Sequence, residues 1–277
     1  MIWRYRNGAL FCTAPRVMGI LNVTPDSFFD GGRFNTPAAA ARRAAEMTAE
    51  GADLIDIGAQ STRPGAALLS AEEEWDRLAP CLEAVAAATP LPVSVDTFHP
   101  AVAAKALEAG ARIINDVSGG GENGMAEIAA RYGAGLVLMR PGDPARRDVP
   151  PEQVLAETAA YFRRALALAE KAGMAPGTVC LDPGIGFGSS RGGDLALIAG
   201  VRTLLAELPP VPVLVGASRK RIAAEVGGEG DRLAATLALH LAAVRGGAAL
   251  LRVHDVADTV KALKAARAVE EAEVWIK

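Results

Sequence analysis

Five residues able to do chemistry recur at one kind of place in this 277-residue sequence, at or just past the polar end of a short apolar run. Asp96 follows Pro92–Val95, Asn115 follows Arg112–Ile114 and Asp182 follows Val179–Leu181. Lys220 comes shortly after Val211–Val215, and Arg252 sits near the end of Leu250–Val253. Carboxylates and a carboxamide suit a flat heterocycle that presents several N–H donors and one carbonyl, because a buried carboxylate is costly unless donors pair it. Lys220 and Arg252 add positive charge, and a guanidinium can also stack on a conjugated ring.

A second group has a different character. Asn22, Ser61, Thr62, Arg63, Arg252 and His254 combine hydroxyls, a guanidinium, an imidazole and an amide, as anion sites do, and together suit a pyrophosphate. Magnesium accompanies such anions and prefers oxygen ligands, for which the amide oxygen of Asn22 is the candidate. A zinc site is not expected, since His99, His240 and His254 lie far apart without metal-ligand spacing. His99 reads as a loop or helix-start residue, and His240 as a helix-surface or packing residue.

The elements that must position these groups can be read from periodicity. Ile2-Trp3-Arg4-Tyr5-Arg6 alternates, Asn7-Gly8 marks a turn and Ala9-Leu10-Phe11 returns, so residues 1–13 read as a hairpin. Eight apolar runs follow: Val17–Leu21, Leu54–Ile57, Pro92–Val95, Arg112–Ile114, Leu136–Met139, Val179–Leu181, Val211–Val215 and Leu250–Val253. Between and after them come helix-period stretches: Ala38–Ala49, Ala71–Ala88, Pro100–Ala109, Met125–Arg131, Glu152–Lys171, Leu195–Glu207, Leu233–Arg245 and Ala257–Ala272. Continuously apolar strands are buried on both faces, as parallel strands are. Eight strand–helix units in this length predict an α/β protein, a single (β/α)8 TIM barrel spanning residues 1–277 with a short N-terminal hairpin. A doubly wound sheet would want a glycine-rich loop after its first strand, and none is there. In a barrel the strand C-termini share one rim, so the polar residues above converge on one cavity.

Composition narrows the function. Hydrophobic residues make up 51% and charged residues 22%, enough apolar material for one core. A net charge of −3 argues against general nucleic-acid binding. Three separated cysteines without a CxxC pair read as reduced. No signal-peptide pattern and no long uncharged apolar run is seen, which predicts a cytoplasmic protein with no membrane partner.

The stretch Met18-Gly19-Ile20-Leu21-Asn22-Val23-Thr24-Pro25-Asp26-Ser27-Phe28 resembles the first signature of the dihydropteroate synthase family, pterin-binding TIM barrels. Further signatures are resembled, in family order, by Ser61-Thr62-Arg63-Pro64-Gly65, Ser94-Val95-Asp96-Thr97, Ile114-Asn115-Asp116-Val117, Leu181 to Gly188, Ser218-Arg219-Lys220 and Arg252-Val253-His254-Asp255. The resemblance implies condensation of 6-hydroxymethyl-7,8-dihydropterin pyrophosphate with p-aminobenzoate, a transferase step of folate biosynthesis, with Mg2+ as cofactor and a homodimer as assembly. By the same resemblance Asp96, Asn115, Asp182, Lys220 and Arg252 hold the pterin. Asn22, Ser61, Thr62, Arg63, Arg252 and His254 hold the pyrophosphate, with Asn22 on the metal. Phe28, Thr62, Pro64, Phe187 and Ser218 line the p-aminobenzoate side, and the catalytic set is Asp96, Asp182, Lys220, Arg252 and His254. Residues Asn22–Gly32 and Ser61–Leu68 are expected to close over the anion.

Some positions depart from the family pattern. Phe29 stands where serine is usual, Gln60 for glutamate, Arg140 for histidine, Ser189 for lysine and Arg221 for serine. Phe29 motivates the expectation that p-aminobenzoate and sulfonamide analogues are discriminated differently. Two other functions share the barrel: a pterin-binding methyltransferase domain that serves a corrinoid protein, and a non-catalytic paralogue. The first would not need the Ser61–Gly65 and Ser218–Lys220 motifs. The second would be expected to lose part of the anion set, which is intact.

Overall fold

A computed structural model describes residues 1–24, 35–60, 68–119, 123–143, 149–175, 177–228 and 230–273. Strands β1 (Ile2–Tyr5) and β2 (Gly8–Phe11) pair antiparallel, with Tyr5 opposite Gly8, so Arg6 and Asn7 form the turn. The positive φ falls on Asn7, at 61°, and Gly8 opens the second strand rather than sharing the turn. Gly8 has a packing reason to be glycine, since a Cβ there would lie 2.4 Å from the Tyr5 ring.

The eight expected apolar runs are all strands of one parallel sheet: β3 (Arg16–Asn22), β4 (Leu54–Gly58), β5 (Val93–Asp96), β6 (Ile113–Asp116), β7 (Gly135–Met139), β8 (Val179–Asp182), β9 (Leu214–Val215) and β10 (Leu250–Val253). They run in the order β8-β7-β6-β5-β4-β3-β10-β9. The ends meet through a parallel bridge between Leu181 and Val213, where the Leu181 N–H donates to the Pro212 carbonyl at 2.9 Å. The sheet is thus a closed barrel. The seventh strand is shorter than the expected Val211–Val215, because Pro210 and Pro212 have no N–H to give a ladder.

Helices follow the strands: α1 (Pro37–Glu50), α2 (Ala71–Ala88), α3 (Pro100–Glu108), α4 (Met125–Tyr132), α5 (Pro151–Lys171), α6 (Arg191–Ala199), α7 (Val201–Glu207), α8 (Arg221–Gly227), α9 (Leu233–Arg245) and α10 (Val256–Glu273). Residues expected as one helix over Leu195–Glu207 form two, α6 and α7, broken at Gly200. Leu155 of α5 presses on that point, 2.4 Å from where a Cβ would sit. Periodicity also leaves α8 unmarked, since it lasts only two turns. Local caps agree with the sequence: Ser70 and Glu73 form a reciprocal capping box at α2, and Ser190 accepts from the Gly193 N–H at α6.

Alternation along each strand sorts the apolar side chains into two cores. Val17, Leu21, Ile55, Val95, Ile114, Leu136, Leu181 and Leu251 pack outward on the helices. Met18, Leu54, Ile113, Val137, Cys180, Leu214 and Leu250 face the barrel axis, and Trp3 of the hairpin joins them, fully buried. The Trp3 Nε1–H donates to the Thr178 carbonyl at 3.0 Å, so β1 plugs the N-terminal end. The inward position two residues further along each strand lies near the opposite mouth.

Candidate active site

Continuing the inward alternation toward the mouth gives Ile20 and Asn22 on β3, Asp56 and Gly58 on β4, Asp96 on β5, Asn115 on β6, Met139 on β7, Asp182 on β8, Gly216 after β9 and Arg252 on β10. The floor is apolar and the next layer is ionic. Register enforces the meeting: Asp96 lies opposite Gly58 on one side and Asn115 on the other.

Arg252 organises this layer. Its Nε donates to Asp56 Oδ2 at 2.6 Å and its Nη2 to Asp96 Oδ2 at 2.7 Å. Asn115 Nδ2 also donates to Asp56 Oδ2, at 3.0 Å. Burial works against the charge of Arg252, but Asp56 and Asp96 outweigh it, so its pKa is raised. Burial pushes Asp96 up to about 7, against the pull of Arg252 and helped by the nearby charge of Asp56. Asp56 Oδ1 and Asp96 Oδ1 are buried without a hydrogen-bond partner among the described residues. Such acceptors call for a donor.

Asp182 and Lys220 form the other half. The Asp182 Oδ1 accepts from the Gly184 N–H at 2.8 Å, and burial raises its pKa while Lys220 opposes the rise. Lys220 is lowered to about 8 by burial, with Asp182 acting the other way. Its Nζ donates to the Ile185 carbonyl at 2.6 Å and stands 4.6 Å from the Phe187 ring centroid. Two inward glycines leave room beside Asp96 and Arg252. A Cβ on Gly58 would lie 3.3 Å from that of Asp96, and one on Gly216 would lie 3.6 Å from that of Arg252.

Ser218 and His254 meet beside this layer, with Ser218 Oγ and His254 Nδ1 at 3.1 Å. The His254 N–H also donates to Ser218 Oγ at 3.1 Å. Between Ser218 and Lys220, Arg219 adopts a left-handed φ of 55°. That conformation is disfavoured for a side-chain-bearing residue. Asp255 holds its guanidinium, Nε to Oδ2 at 3.0 Å, while Thr236 accepts from its N–H at 3.2 Å.

The sequence-predicted residues Asp96, Asn115, Asp182, Lys220 and Arg252 are therefore brought together, with Asn22 at the same mouth and Ser218, His254 and Phe187 adjoining. Ser61, Thr62, Arg63 and Pro64, together with Phe28 and Phe29, lie outside the described residues. So do most residues of the two loops expected to close and the position that motivates altered sulfonamide discrimination. Sequence reasoning missed Asp56. A signal was there, for a carboxylate inside Leu-Ile-Asp-Ile is anomalous in a strand buried on both faces. His240, read as a surface or packing residue, is buried, and its Nε2 accepts from the Ala217 N–H at 3.1 Å. His99 stands at the start of α3, as expected, and its side chain makes no capping hydrogen bond. A polar cavity of about 330 Å3, lined by Arg140, Tyr161, Arg164 and Ser189 among others, lies between α5 and the loop after β8 and includes none of the ionic layer.

A closed barrel whose mouth gathers carboxylates, a carboxamide and two cations defines an enzyme that holds a polar heterocycle. The chain belongs to the pterin-binding enzyme family, whose sequence profile matches residues 18–254. It is 42% identical over 266 residues to the dihydropteroate synthase of Escherichia coli (strain K12), covering 94% of this chain and 93% of that one. Among solved structures it is similar to Xanthomonas albilineans dihydropteroate synthase with 4-aminobenzoic acid, at 43% identity, a TM-score of 0.87 and 95% coverage of each chain. The same enzyme in complex with 7,8-dihydropteroate matches at 41% identity and a TM-score of 0.84, covering 95% of this chain and 96% of that one. Among the described residues, no helix is long and apolar enough to cross a membrane, and the three cysteines are free.

Proposed function

We propose that this chain has dihydropteroate synthase activity, joining 6-hydroxymethyl-7,8-dihydropterin pyrophosphate to p-aminobenzoate to give 7,8-dihydropteroate and pyrophosphate. The observation that carries the reading is the Asp56–Arg252–Asp96 bridge beside Asp182 and Lys220, with Gly58 and Gly216 leaving room next to Asp96 and Arg252. A pterin edge would supply the donors that the unpaired Asp96 oxygen needs, with Asn115 and Lys220 at the same mouth to take part in holding it. Arg252, anchored through two of its nitrogens, is held rigid enough to lie against the ring.

The reaction forms a bond between the amine nitrogen of p-aminobenzoate and the exocyclic methylene carbon of the pterin. The bond from that carbon to the pyrophosphate oxygen breaks, and its electron pair leaves with pyrophosphate. The amine proton is lost to solvent or to the departing anion. No nucleophile of the protein is required. Asp96 and Asp182 would stabilise the electron-poor pterin, and Ser218, His254 and Arg252 would receive the anion with Ser61, Thr62 and Arg63. Phe28, Thr62, Pro64, Phe187 and Ser218 would flank the benzoate, and alignment of the two substrates supplies the rest of the acceleration.

The described residues fit Mg2+ as an ion brought with pyrophosphate. Among the described residues no group of three or more His, Cys, Asp or Glu could hold a metal, and Asn22 offers one neutral oxygen. When bound it would neutralise the leaving anion, with pyrophosphate and water completing its shell. The family resemblance supports the homodimer, and the sequence pattern supports the cytoplasmic location.

The direct test mixes the protein with the pterin pyrophosphate, Mg2+ and p-aminobenzoate. Pyrophosphate and the pterin–benzoate adduct should appear in equal amounts; pyrophosphate without adduct, or neither, overturns the reading. Asp96→Ala should abolish pterin binding by calorimetry.

A further inference from the structure

Asp194, at the start of α6, is a fully buried carboxylate outside the ionic layer. Its Oδ1 accepts from the Gly186 N–H at 2.9 Å. Arg221, the first residue of α8, stands with Nη2 3.8 Å from Asp194 Oδ2. The same Nη2 donates to the Ser189 carbonyl at 3.2 Å, and Nη1 is held by Glu225 one turn along α8. The two family departures Ser189 and Arg221 thus meet at one point. None of these side chains enters the barrel mouth.

What they grip is the loop after β8. Gly184, Gly186 and Gly188 take positive φ of 75°, 80° and 86°, so this arc has no regular ladder to hold its shape. Lys220 bears on the opposite side of the same arc, through the Ile185 carbonyl and the Phe187 ring. A Cβ on Gly186 would lie 3.1 Å from the Lys220 side chain. Gly186 is therefore caught between Asp194 and Lys220.

We propose that Asp194 and Arg221 are a positioning pair for the amine end of the site: they hold the Ile185–Ser189 arc so that the Phe187 ring stands where p-aminobenzoate is received. This rests on the activity proposed above. An asparagine at 194 could accept the same Gly186 N–H, so the hydrogen bond alone does not need a carboxylate. The charge faces Lys220 and also Arg221, which stands 3.8 Å from Asp194 Oδ2 and ties the arc to α8 through the Ser189 carbonyl. A buried carboxylate is otherwise unfavourable, and burial does raise the pKa of Asp194.

The test is a comparison of KM for the two substrates in the full chain. Asp194→Ala should raise KM for p-aminobenzoate by about tenfold, the scale of a displaced binding group, with KM for the pterin pyrophosphate within about twofold. Asp194→Asn should recover most of that loss, and Arg221→Gln should show a smaller rise of about threefold in the same constant. A pterin alone, 6-hydroxymethylpterin, should bind both conservative variants as it binds the unaltered chain. Equal rises in both KM values, a fall in kcat alone, or Asp194→Asn and Arg221→Gln indistinguishable from the unaltered chain overturns the pair's role. If Asp194→Ala does not fold, the two conservative variants decide. An unaltered chain that makes no adduct overturns the activity itself rather than this inference.

Discussion

Arg252 and Asp56, 196 residues apart in the chain, are joined by a 2.6 Å hydrogen bond across the barrel mouth. Asp56 is fully buried, and it shares its Oδ2 between Arg252 and Asn115. It aims the guanidinium from within the same ionic layer. Removing one partner of a buried ion pair strands the other charge, although here Arg252 keeps Asp96. Asp56→Ala should therefore lower stability by about 3 kcal/mol, read from the urea midpoint. It should also weaken binding of 6-hydroxymethylpterin, because Arg252 loses one of its two anchors. An unchanged midpoint with unchanged affinity would sink the anchoring role.

The proton on Asp96 should be visible in ligand binding. Burial pushes its carboxyl up to about 7 from the ordinary 3.8. A ligand that donates to the carboxylate favours the ionised form, so binding below that pH must expel a proton. Affinity for 6-hydroxymethylpterin should fall as pH drops below about 7, approaching tenfold per pH unit. Calorimetry in buffers of different ionisation enthalpy should count the released proton. Asp96→Asn should bind weakly and lose this dependence; matching slopes for the two proteins would exclude Asp96 as its source.

His240 makes an acid-sensitive support behind the site. Its pKa is lowered from 6.5 to about 4 by burial, and Lys220 nearby adds to the effect. The imidazole is neutral in the folded chain and takes a proton more readily when unfolded. Its contribution is thus complete above 6.5 and is lost as pH falls toward 4, amounting to roughly 2 to 3 kcal/mol by pH 4.5. His240→Gln retains an acceptor for the Ala217 N–H but cannot be protonated. The difference in urea midpoint between the two proteins should shift in favour of the variant on acidification, and a constant difference would count against the imidazole.

The hairpin should matter far from the chemistry. Trp3 is fully buried in the barrel floor and hydrogen-bonded to Thr178. Trp3→Ala removes a large core side chain and leaves a cavity, at a cost of about 4 kcal/mol. Denaturation should report this loss, while KM values measured well below the transition stay near those of the unaltered chain. A large change in KM would mean that the floor and the mouth are coupled.

Much of this molecule is written locally. Runs such as Val17–Leu21 and Leu250–Val253 are strands because their residues are apolar on both sides, and the helical stretches between them carry their own caps at Ser70 and Ser190. Polar residues at the ends of those runs could lie only at the strand C-termini, so the rim residues Asp96, Asn115, Asp182 and Arg252 were legible in order, and the ordered motifs identified the family. Pairings were not legible. Periodicity says which side chains are buried but not which strand lies opposite, and that depends on register and on closure of β8 against β9 through Leu181 and Val213. Only the closed barrel set Arg252 between Asp56 and Asp96 and brought Arg221 within 3.8 Å of Asp194. Local pattern is a property of neighbours in sequence, whereas an ion pair across a barrel is a property of curvature summed over every strand between its partners.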